Sequence, residues 1–445
     1  MTVLFINADS RLFPLADRSV HMIVTSQPYW GLRDYDVDGQ IGLEKTIEEY
    51  IAVMLEVGRE MWRVLRDDGT LWMNIGDSYA GSWGNYHPTG KGGQREKSTE
   101  RYDRRAYADK GFLPPTANVP GLKPKDLCGI PWEIALAFRR AGWYLRRDII
   151  WHKPNPMPES ATDRPTTSHE YIFLFSKSQR YYYDGEAVKE KANPEGSHKR
   201  GNGKGKLKIS PYGKQSLKTL ETPASGRNRR SVWKIATTPY KEAHFATFPP
   251  ALPEICIKAG TSERGCCPVC GAGWVRVIES KPATSKDCPK TQAAHEARGG
   301  TGKPVGTVGK SGSGRKEGYS ITTGWAPSCK CWQTLPVPDL PRTRNDRKRR
   351  HQDLSNDWRF RAYCYAGETI PAIVLDPFIG SGTTALVARK LRRDAVGLDL
   401  SAEYLTMARR RLSLDKRDAW ENGTGRGGDR AIGKVRDLPL FKELL

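Results

Sequence analysis

A short polar and aromatic segment follows the apolar run that ends at Thr25. Ser26, Gln27, Pro28 and Tyr29 come directly after it. The exocyclic amine of a nucleic-acid base is a poor nucleophile, because its lone pair is delocalised into the ring. Hydrogen-bond acceptors such as the Ser26 hydroxyl and the Gln27 carbonyl make that amine more reactive, and Tyr29 can stack on a base rotated out of the duplex. The segment predicts chemistry on a base amine; the alternative is an apolar strand end packed against a helix.

Two glycines lie between an apolar run and a helix-like segment further along the chain. Gly380 and Gly382 follow Ile373–Asp376, and glycine lets a backbone pass close to a ligand without side-chain clashes. We expect Thr383 or Thr384 to cap the helix that follows. The pattern predicts a cofactor turn, with a tight turn that binds nothing as the alternative.

An acid at the end of the next apolar run supports the cofactor reading. Asp399 follows Asp376 by 23 residues, a spacing that suits hydrogen bonds from ribose hydroxyls. A phosphate-binding loop is unlike this turn because no lysine follows Gly382, and a dinucleotide site would favour glycine where Ala385 stands. The turn therefore indicates a nucleoside-containing cofactor other than a nucleoside triphosphate.

Five of the nine cysteines fall in two tight clusters. Cys267 and Cys270 form one pair, and Cys329 and Cys331 form the second, with Cys266 as a substitute for one of them. Four thiolates in two close pairs suit a tetrahedral zinc ion, and such a site has no open position for a reacting water. We expect a structural zinc site, with free thiols as the alternative.

The elements around these motifs alternate between strand and helix. Apolar runs at Val3–Ile6, Val20–Thr25 and Thr70–Ile75 read as buried strands, and Thr46–Leu65 has apolar residues at helical spacing. Pro371–Leu412 reads as a strand, turn, helix, strand and helix. This alternation predicts a doubly wound α/β fold with a mostly parallel sheet. Further elements are expected as a helix at Pro131–Ala141 and strands at Tyr144–Trp151 and Glu170–Ser176.

The two motifs together resemble those of the DNA amino-methyltransferases. Phe378-Ile-Gly-Ser-Gly382 matches the family's Phe-x-Gly-x-Gly cofactor turn, and Ser26-Gln-Pro-Tyr29 matches three of the four positions of its catalytic motif. The catalytic motif precedes the cofactor motif, which resembles the β class of these enzymes. The blocks Trp151–Pro158, His169–Phe173 and His244–Pro250 also resemble family segments. The chain contains no Pro-Cys dipeptide, which argues against a covalent cysteine adduct at carbon 5.

The resemblance implies a fold, a cofactor and roles for single residues. The fold is the Rossmann-like fold of S-adenosylmethionine-dependent methyltransferases, here with basic loop insertions and a small zinc-ribbon-like insertion. Asp399 would hold the ribose. The turn would contact the methionine part of the cofactor, and a later segment would close its pocket. The implied residues are, for the turn, Asp376, Pro377, Phe378, Gly380, Gly382 and Thr383, and, for the closing segment, Phe245, Thr247 and Phe248.

Position 27 departs from the family pattern. Gln27 stands where the family has proline, whose fixed φ would stiffen the loop. Gln27 still supplies the backbone carbonyl, so we expect activity with a less preorganised loop. Serine at position 26 is commoner in the enzymes that act on cytosine N4, although some adenine N6 enzymes share it.

The charge of the chain indicates a polyanionic partner. Lys and Arg number 72 against 50 acids, a formal net charge of +22, which favours nucleic acid. Residues 189–230 contain twelve basic residues against three acids. The N-terminus does not resemble a signal peptide, and no apolar run is long enough to span a bilayer. We expect a cytoplasmic protein that binds double-stranded DNA and no membrane, with a cognate restriction nuclease as a possible further partner.

The expected function is site-specific methylation of DNA at the exocyclic amine of a flipped base, cytosine N4 before adenine N6. The alternatives are an RNA amino-methyltransferase and a DNA-binding homologue weakened by Gln27. The expected organisation is a catalytic half at 1–188 with a basic loop at 81–127, a basic target-recognition segment at 189–230, a cofactor-pocket segment at 231–264, a Cys-rich zinc-binding insertion at 265–335, a cofactor-binding half at 365–415 and a polar tail at 416–445.

Overall fold

A computed structural model describes most of the regions that carry the predicted motifs. The described residues are 1–32, 37–81, 116, 118–159, 161–190, 226–238, 248–281, 319–331 and 369–414. The chain divides into two compact units. The first unit comprises Met1–Asp184, Arg230–Trp274 and Pro327–Leu445, and the second comprises Gly185–Arg229 and Val275–Ala326.

The first unit is built on an eight-stranded sheet. Its strands are β1 (Val3–Asn7), β2 (Val20–Ser26), β3 (Leu65–Ile75), β4 (Tyr144–His152), β5 (His169–Ser176), β6 (Val232–Lys234), β9 (Ile373–Asp376) and β10 (Asp394–Asp399). They lie in the order β1-β10-β9-β2-β3-β5-β4-β6. Neighbouring strands are parallel except where β5 pairs with β3 and with β4. A mostly parallel α/β sheet is confirmed.

Five α-helices of the same unit lie among the described residues. They are α1 (Ile47–Val64), α2 (Ile130–Arg140), α3 (Ala251–Gly260), α4 (Thr383–Lys390) and α5 (Ala402–Arg411). The Thr46 side chain caps α1 by accepting from the Glu49 amide, as this residue type does at helix starts. Helix α1 ends at Val64, and β3 begins at once with Leu65 rather than at the predicted Thr70. The strand starts early because Leu65 pairs with Val20 of β2.

Aromatic packing fills the space between the helices and the sheet. Phe138 of α2 is fully buried and lies 6.0 Å from Trp143 and 5.6 Å from Phe175, measured between ring centroids. All four residues of β9 are buried, as expected of a strand covered on both faces. This strand therefore has a fixed place beside β2, and both strands end at the same edge of the sheet.

The second unit contains a two-stranded sheet made of β7 (Trp274–Lys281) and β8 (Tyr319–Pro327). Within it, the Arg276 guanidinium lies 4.4 Å from the centre of the Trp325 ring. The unit also contains a 3-10 turn at Glu186–Val188 and an antiparallel bridge between Glu190 and Arg227. Most of the predicted basic loop 81–127 and of the segment 189–230 lies outside the described residues.

None of the helices that the structure describes has both the length and the apolar content needed to cross a membrane.

Candidate active site

The carboxylate of Asp376 joins the two predicted motifs inside the sheet. Asp376 ends β9, and its Oδ1 accepts a hydrogen bond from Thr25 Oγ1 of β2 at 2.8 Å. Its Oδ2 accepts from Thr384 Oγ1 at 2.6 Å, and Oδ1 also accepts from the Phe378 amide at 3.1 Å. Burial raises the pKa of Asp376 to about 6, although these three donors oppose the rise. The side chain therefore points into the interior of the protein, and its hydrogen bonds fix the position of the turn that follows β9.

The predicted threonine cap of α4 is wrong. Gly382 is the N-cap residue, and no side chain caps this helix. The Thr384 hydroxyl donates to Asp376 instead, and Thr383 Oγ1 accepts from Arg411 Nη1 of α5 at 2.8 Å. Thr383 and Thr384 are the first two residues of the helix and not its N-cap, so their hydroxyls bond to neighbouring elements instead of capping.

The two glycines of the turn differ in their surroundings. A side-chain carbon added to Gly380, which has φ of +48°, would meet no atom of the described residues within 4 Å. One added to Gly382, at φ of +81°, would lie 2.9 Å from Cβ of Ala408. Gly380 therefore faces open space in which a ligand can lie, whereas Gly382 allows close packing between the turn and α5. The carbonyl of Pro377 accepts from Ser10 Oγ at 2.6 Å, which fixes the first half of the turn.

Asp399 completes the edge at the end of β10. Its Oδ2 accepts from the Gly380 amide and its Oδ1 from the Ser401 amide, both at 2.9 Å. Burial raises the pKa of Asp399, and the two amides oppose that rise. Each carboxylate oxygen keeps a second lone pair that a ribose hydroxyl can use. The open space at Gly380 beside this acid fits a nucleoside cofactor.

The predicted closing segment is described only at its end. Phe245 and Thr247 lie outside the described residues, and Phe248 is half-buried. Phe248 precedes Pro250, the N-cap residue of α3.

The catalytic segment lies at the same edge, directly beside the turn. Ser26 is the last residue of β2 and pairs in register with Asn74 of β3. Asn74 Nδ2 donates to Tyr29 Oη at 2.8 Å and lies 3.4 Å from Ser26 Oγ. The Tyr29 ring lies so close to Gly76 that a side-chain carbon there would be 2.8 Å from Cε2. The ring of Tyr29 is therefore held in one place next to the Ser26 hydroxyl.

Three residues that the sequence analysis did not single out, Asn74, Lys153 and Glu170, anchor this segment. Tyr29 Oη donates to Glu170 Oε2 at 2.7 Å, and Asn74 Nδ2 donates to the same oxygen at 2.8 Å. Lys153 forms an ion pair with Glu170 and lies 4.7 Å from the centre of the Trp151 ring. Because β5 is antiparallel, its first residues reach the edge where β2, β3 and β4 end. Lys153 and Glu170 stood in the resembling blocks, but their meeting depends on that strand direction.

The loop after Ser26 is also fixed through its backbone. Tyr50 Oη donates to the Pro28 carbonyl at 2.7 Å, and the Gly31 amide donates to the Gly42 carbonyl at 2.8 Å. Trp30 Nε1 donates to the Glu44 carbonyl at 2.9 Å. These contacts order the loop without proline at position 27.

The side chain of Gln27 is the energetically unfavourable feature of this loop. Its side chain is only 2 % exposed, and neither Nε2 nor Oε1 has a hydrogen-bond partner among the described residues. An amide buried without partners costs about 1–3 kcal/mol. The Gln27 side chain therefore opposes folding at a position where an apolar residue would not.

The structure brings together four of the clustered cysteines. The sulfur atoms of Cys267, Cys270, Cys329 and Cys331 all lie within 4.8 Å of one another. Cys266 stands outside this group; it is buried, and burial raises its pKa to about 12. Four sulfurs at this spacing could hold one metal ion, and thiolates in this number suit tetrahedral zinc.

Comparison with known proteins gives consistent matches. A family model described as DNA methylase, of the N6 and N4 type, matches residues 20–278 and 368–410. The type II methyltransferase M.SmaI of Serratia marcescens is 43 % identical over 258 residues, which cover 58 % of this chain and 74 % of that protein. The type II methyltransferase M.SfiI of Streptomyces fimbriatus is 29 % identical over 420 residues, which cover 89 % of this chain and 87 % of that protein.

Among solved structures, the PvuII DNA methyltransferase, described as cytosine-N4-specific, is 13 % identical, with a TM-score of 0.45. The alignment covers 93 % of this chain and 86 % of that one.

The two glycines of the turn should respond differently to the same substitution. Gly380→Ala places a methyl group in the open space, so we expect binding of S-adenosylmethionine to weaken by more than about tenfold. Gly382→Ala places it against Ala408, so we expect a loss of about 1–3 kcal/mol of stability from overpacking, beyond the strain that a side chain at positive φ causes in both variants. Calorimetric titration and thermal unfolding of both variants measure the two effects. Unchanged affinity in Gly380→Ala would show that the turn does not face the cofactor.

Replacing the unpaired amide at position 27 should stabilise the protein. Gln27→Met keeps the length of the side chain and removes both unpaired polar atoms, so we expect unfolding to cost about 1–3 kcal/mol more. Chemical denaturation of the two proteins side by side gives the difference. A lower stability in Gln27→Met would mean that the amide has partners in the folded protein.

Proposed function

Because this chain belongs to the N6/N4 DNA methylase family, we propose that it transfers a methyl group from S-adenosylmethionine to the exocyclic amine of a DNA base, at cytosine N4. The observation that carries the proposal is the Thr25–Asp376 hydrogen bond. It places the end of the catalytic strand beside the end of the cofactor strand. An amine held at Ser26 then lies next to the space in front of Gly380.

The roles at the catalytic edge follow from the position of each group. The Ser26 hydroxyl and the Gln27 carbonyl accept hydrogen bonds from the base amine. These bonds increase the electron density on the amine nitrogen. The fixed ring of Tyr29 provides a face on which an extruded base stacks. Pro28 keeps the loop in place through its carbonyl, which Tyr50 holds. The cofactor, when bound, supplies a methyl group on a positively charged sulfur.

The ion pair between Glu170 and Lys153 acts indirectly in this proposal. Glu170 accepts from both Tyr29 Oη and Asn74 Nδ2, and Lys153 neutralises its charge. Both side chains are largely buried, at 15 % and 20 % exposure. A charged acceptor in such a place binds its donors more strongly than a neutral one. Glu170 therefore positions the stacking ring and the amide next to Ser26.

On the cofactor side, the chain offers a cradle and an acceptor. The backbone from Pro377 to Gly380 would lie along the methionine part, and Asp399 would accept from the ribose hydroxyls. Asp376 acts from behind the turn by positioning it. We keep Phe378, Thr383, Phe245, Thr247 and Phe248 as proposed pocket residues, together with the turn glycines Gly380 and Gly382.

The target base is proposed from Ser26. Serine at this position favours cytosine N4, and adenine N6 is the second candidate. An RNA amine is a third possibility, because the chemistry is the same. A disabled homologue is the fourth, and the ordering of the loop by Tyr50 and Gly42 speaks against it.

The DNA partner is proposed from charge and from the family. The formal net charge of +22 suits a double-stranded polyanion, whose phosphates attract basic segments without regard to sequence. We propose that 189–230 carries target recognition and that 81–127 contributes further contacts. We propose the remaining boundaries as predicted from the sequence, including the polar tail 416–445, except that residues 275–326 of the insertion 265–335 belong to the second compact unit. From the type II relatives we propose a restriction nuclease as a further partner. We propose a cytoplasmic location for both proteins.

We also propose that the four clustered cysteines bind structural zinc. Their sulfurs lie within 4.8 Å of one another, and thiolates are preferred zinc ligands. The segment 265–335 would then be closed by metal at its base, because two ligands precede its central part and two follow it.

Methyl transfer to DNA should depend on Ser26 and on the ring of Tyr29. We expect the wild type to transfer radiolabel from S-adenosylmethionine to unmethylated DNA of mixed sequence, with N4-methylcytosine as the product. Ser26→Ala should slow transfer without changing cofactor affinity. Tyr29→Ala should lose about 1–3 kcal/mol of base stacking. Tyr29→Phe is the matched control that keeps the ring and loses the link to Glu170, so its defect should resemble that of Glu170→Gln.

The product identifies the correct alternative. N6-methyladenine would move the target to adenine, and transfer to RNA alone would change the substrate. Full activity in Ser26→Ala and Tyr29→Ala would place the active site elsewhere.

Purified protein should contain about one zinc ion per chain, since four thiolates fill one tetrahedral site. Metal analysis by mass spectrometry measures this content. Cys267→Ser and Cys329→Ser should lose the ion, whereas Cys266→Ser, which alters a neighbour outside the cluster, should keep it. Metal-free protein from zinc-supplemented cells would contradict the assignment.

A further inference from the structure

A histidine that the proposed chemistry does not use connects the cysteine cluster to the cofactor strand. His21 is the second residue of β2. Its Nδ1 accepts a hydrogen bond from the Ile373 amide at 3.0 Å, and its Nε2 lies 2.9 Å from the Gly271 carbonyl. Because Nδ1 accepts, the ring proton lies on Nε2, which donates to that carbonyl. Both ring nitrogens are therefore used, one toward each partner.

The two partners belong to different parts of the proposed chemistry. Gly271 directly follows Cys270, one of the four clustered cysteines. Ile373 is the first residue of β9, which ends three residues later at Asp376. One imidazole thus lies between a proposed zinc ligand and the strand that holds the cofactor turn.

The segment 266–271, which we name the knuckle, makes two further contacts with the sheet region. Cys266 and Ile370 exchange backbone hydrogen bonds of 2.8 and 3.0 Å just before β9 begins. Arg66 of β3 donates from Nη1 to the Cys270 carbonyl at 2.5 Å. All these contacts lie where β2, β3 and β9 begin, whereas the catalytic segment lies where β2 ends. The six residues from His21 to Ser26, five steps along the strand, span about 16 Å of extended chain.

We propose that His21 is a positioning residue through which zinc at the knuckle and the cofactor at the far end of β9 strengthen each other's binding. This inference rests on the proposed zinc site. A bound ion fixes Cys270 and hence the Gly271 carbonyl that receives the His21 proton. The ring is then held in the orientation in which Nδ1 accepts from Ile373. A buried strand amide without a partner is costly, so β9 keeps its position when the ring does.

Coupling between two sites is reciprocal, which gives the test. Zinc release from the intact full-length protein is followed with a chromogenic chelator, with and without saturating S-adenosylmethionine. We expect the cofactor to raise the apparent zinc affinity of the wild type by about fivefold or more, the lower end of typical coupling between sites. This readout does not require methyl transfer.

Two variants divide the function of the ring. In His21→Asn, the side-chain oxygen stands near the place of Nδ1, so the Ile373 bond is kept and the link to Gly271 is lost. The effect of cofactor on zinc should then shrink, and by the same coupling the cofactor affinity of the zinc-loaded protein should fall toward that of the zinc-free protein. In His21→Gln, the side-chain nitrogen stands near the place of Nε2, so the link to Gly271 is kept and cofactor affinity itself should fall. Arg66→Met is the control, because it removes the knuckle contact to β3 and the Arg66–Asp68 ion pair while both His21 hydrogen bonds stay in place.

The outcomes separate this inference from the zinc assignment. Protein without zinc overturns both. Protein with one zinc ion whose release ignores the cofactor overturns the coupling and leaves the zinc site standing. Full coupling in His21→Asn, or loss of coupling in Arg66→Met, overturns the role of His21. If His21→Asn does not fold, the wild-type release experiment and His21→Gln still decide.

Discussion

The candidate active site depends on the hydrogen bonds that the carboxylate of Asp376 accepts. This carboxylate is buried at the end of β9 and accepts hydrogen bonds from Thr25 on β2, from Thr384 on α4 and from the backbone of the turn. A buried carboxylate left without donors is very unfavourable, so these elements have to meet around it. Thr25 and Asp376 are 351 positions apart in the chain. The proposed cofactor turn and the proposed catalytic segment become neighbours because this acid accepts hydrogen bonds from donors on both sides.

The catalytic edge is organised around a second acid in the same way. Glu170 is neutralised by Lys153 and receives hydrogen bonds from Tyr29 and Asn74. The position of the stacking ring is therefore set by charge, and the loop backbone by Tyr50. This explains how the loop can be ordered with Gln27 in place of proline. The side-chain amide of Gln27 has no hydrogen-bond partner among the described residues, so we expect that replacement to lower stability while the loop stays ordered.

The cysteine cluster lies next to the opposite edge of the sheet and is connected to it by hydrogen bonds. The knuckle is hydrogen-bonded to the beginnings of β2, β3 and β9 through His21, Arg66 and Ile370. The segment predicted as one insertion is divided accordingly. Its ends belong to the unit that contains the sheet, and residues 275–326 belong to the second unit. The strands that carry the chemistry are thus held at both ends, by acids at one edge and by the knuckle at the other.

The sequence alone determined the α/β class and the family and located both candidate motifs, because these depend on local pattern and on residue types at fixed spacing. It also selected the four cysteines that the fold brings together, since paired thiols leave few other readings. Tertiary structure decided what spacing does not encode. The antiparallel direction of β5 brings Glu170 to Lys153 and Tyr29, and the threonines expected to cap α4 bind Asp376 and Arg411 instead. The two glycines of one motif have separate tasks, because one faces open space and the other faces α5. Each of these outcomes depends on partners distant in the chain, whose approach is fixed only when the sheet is assembled.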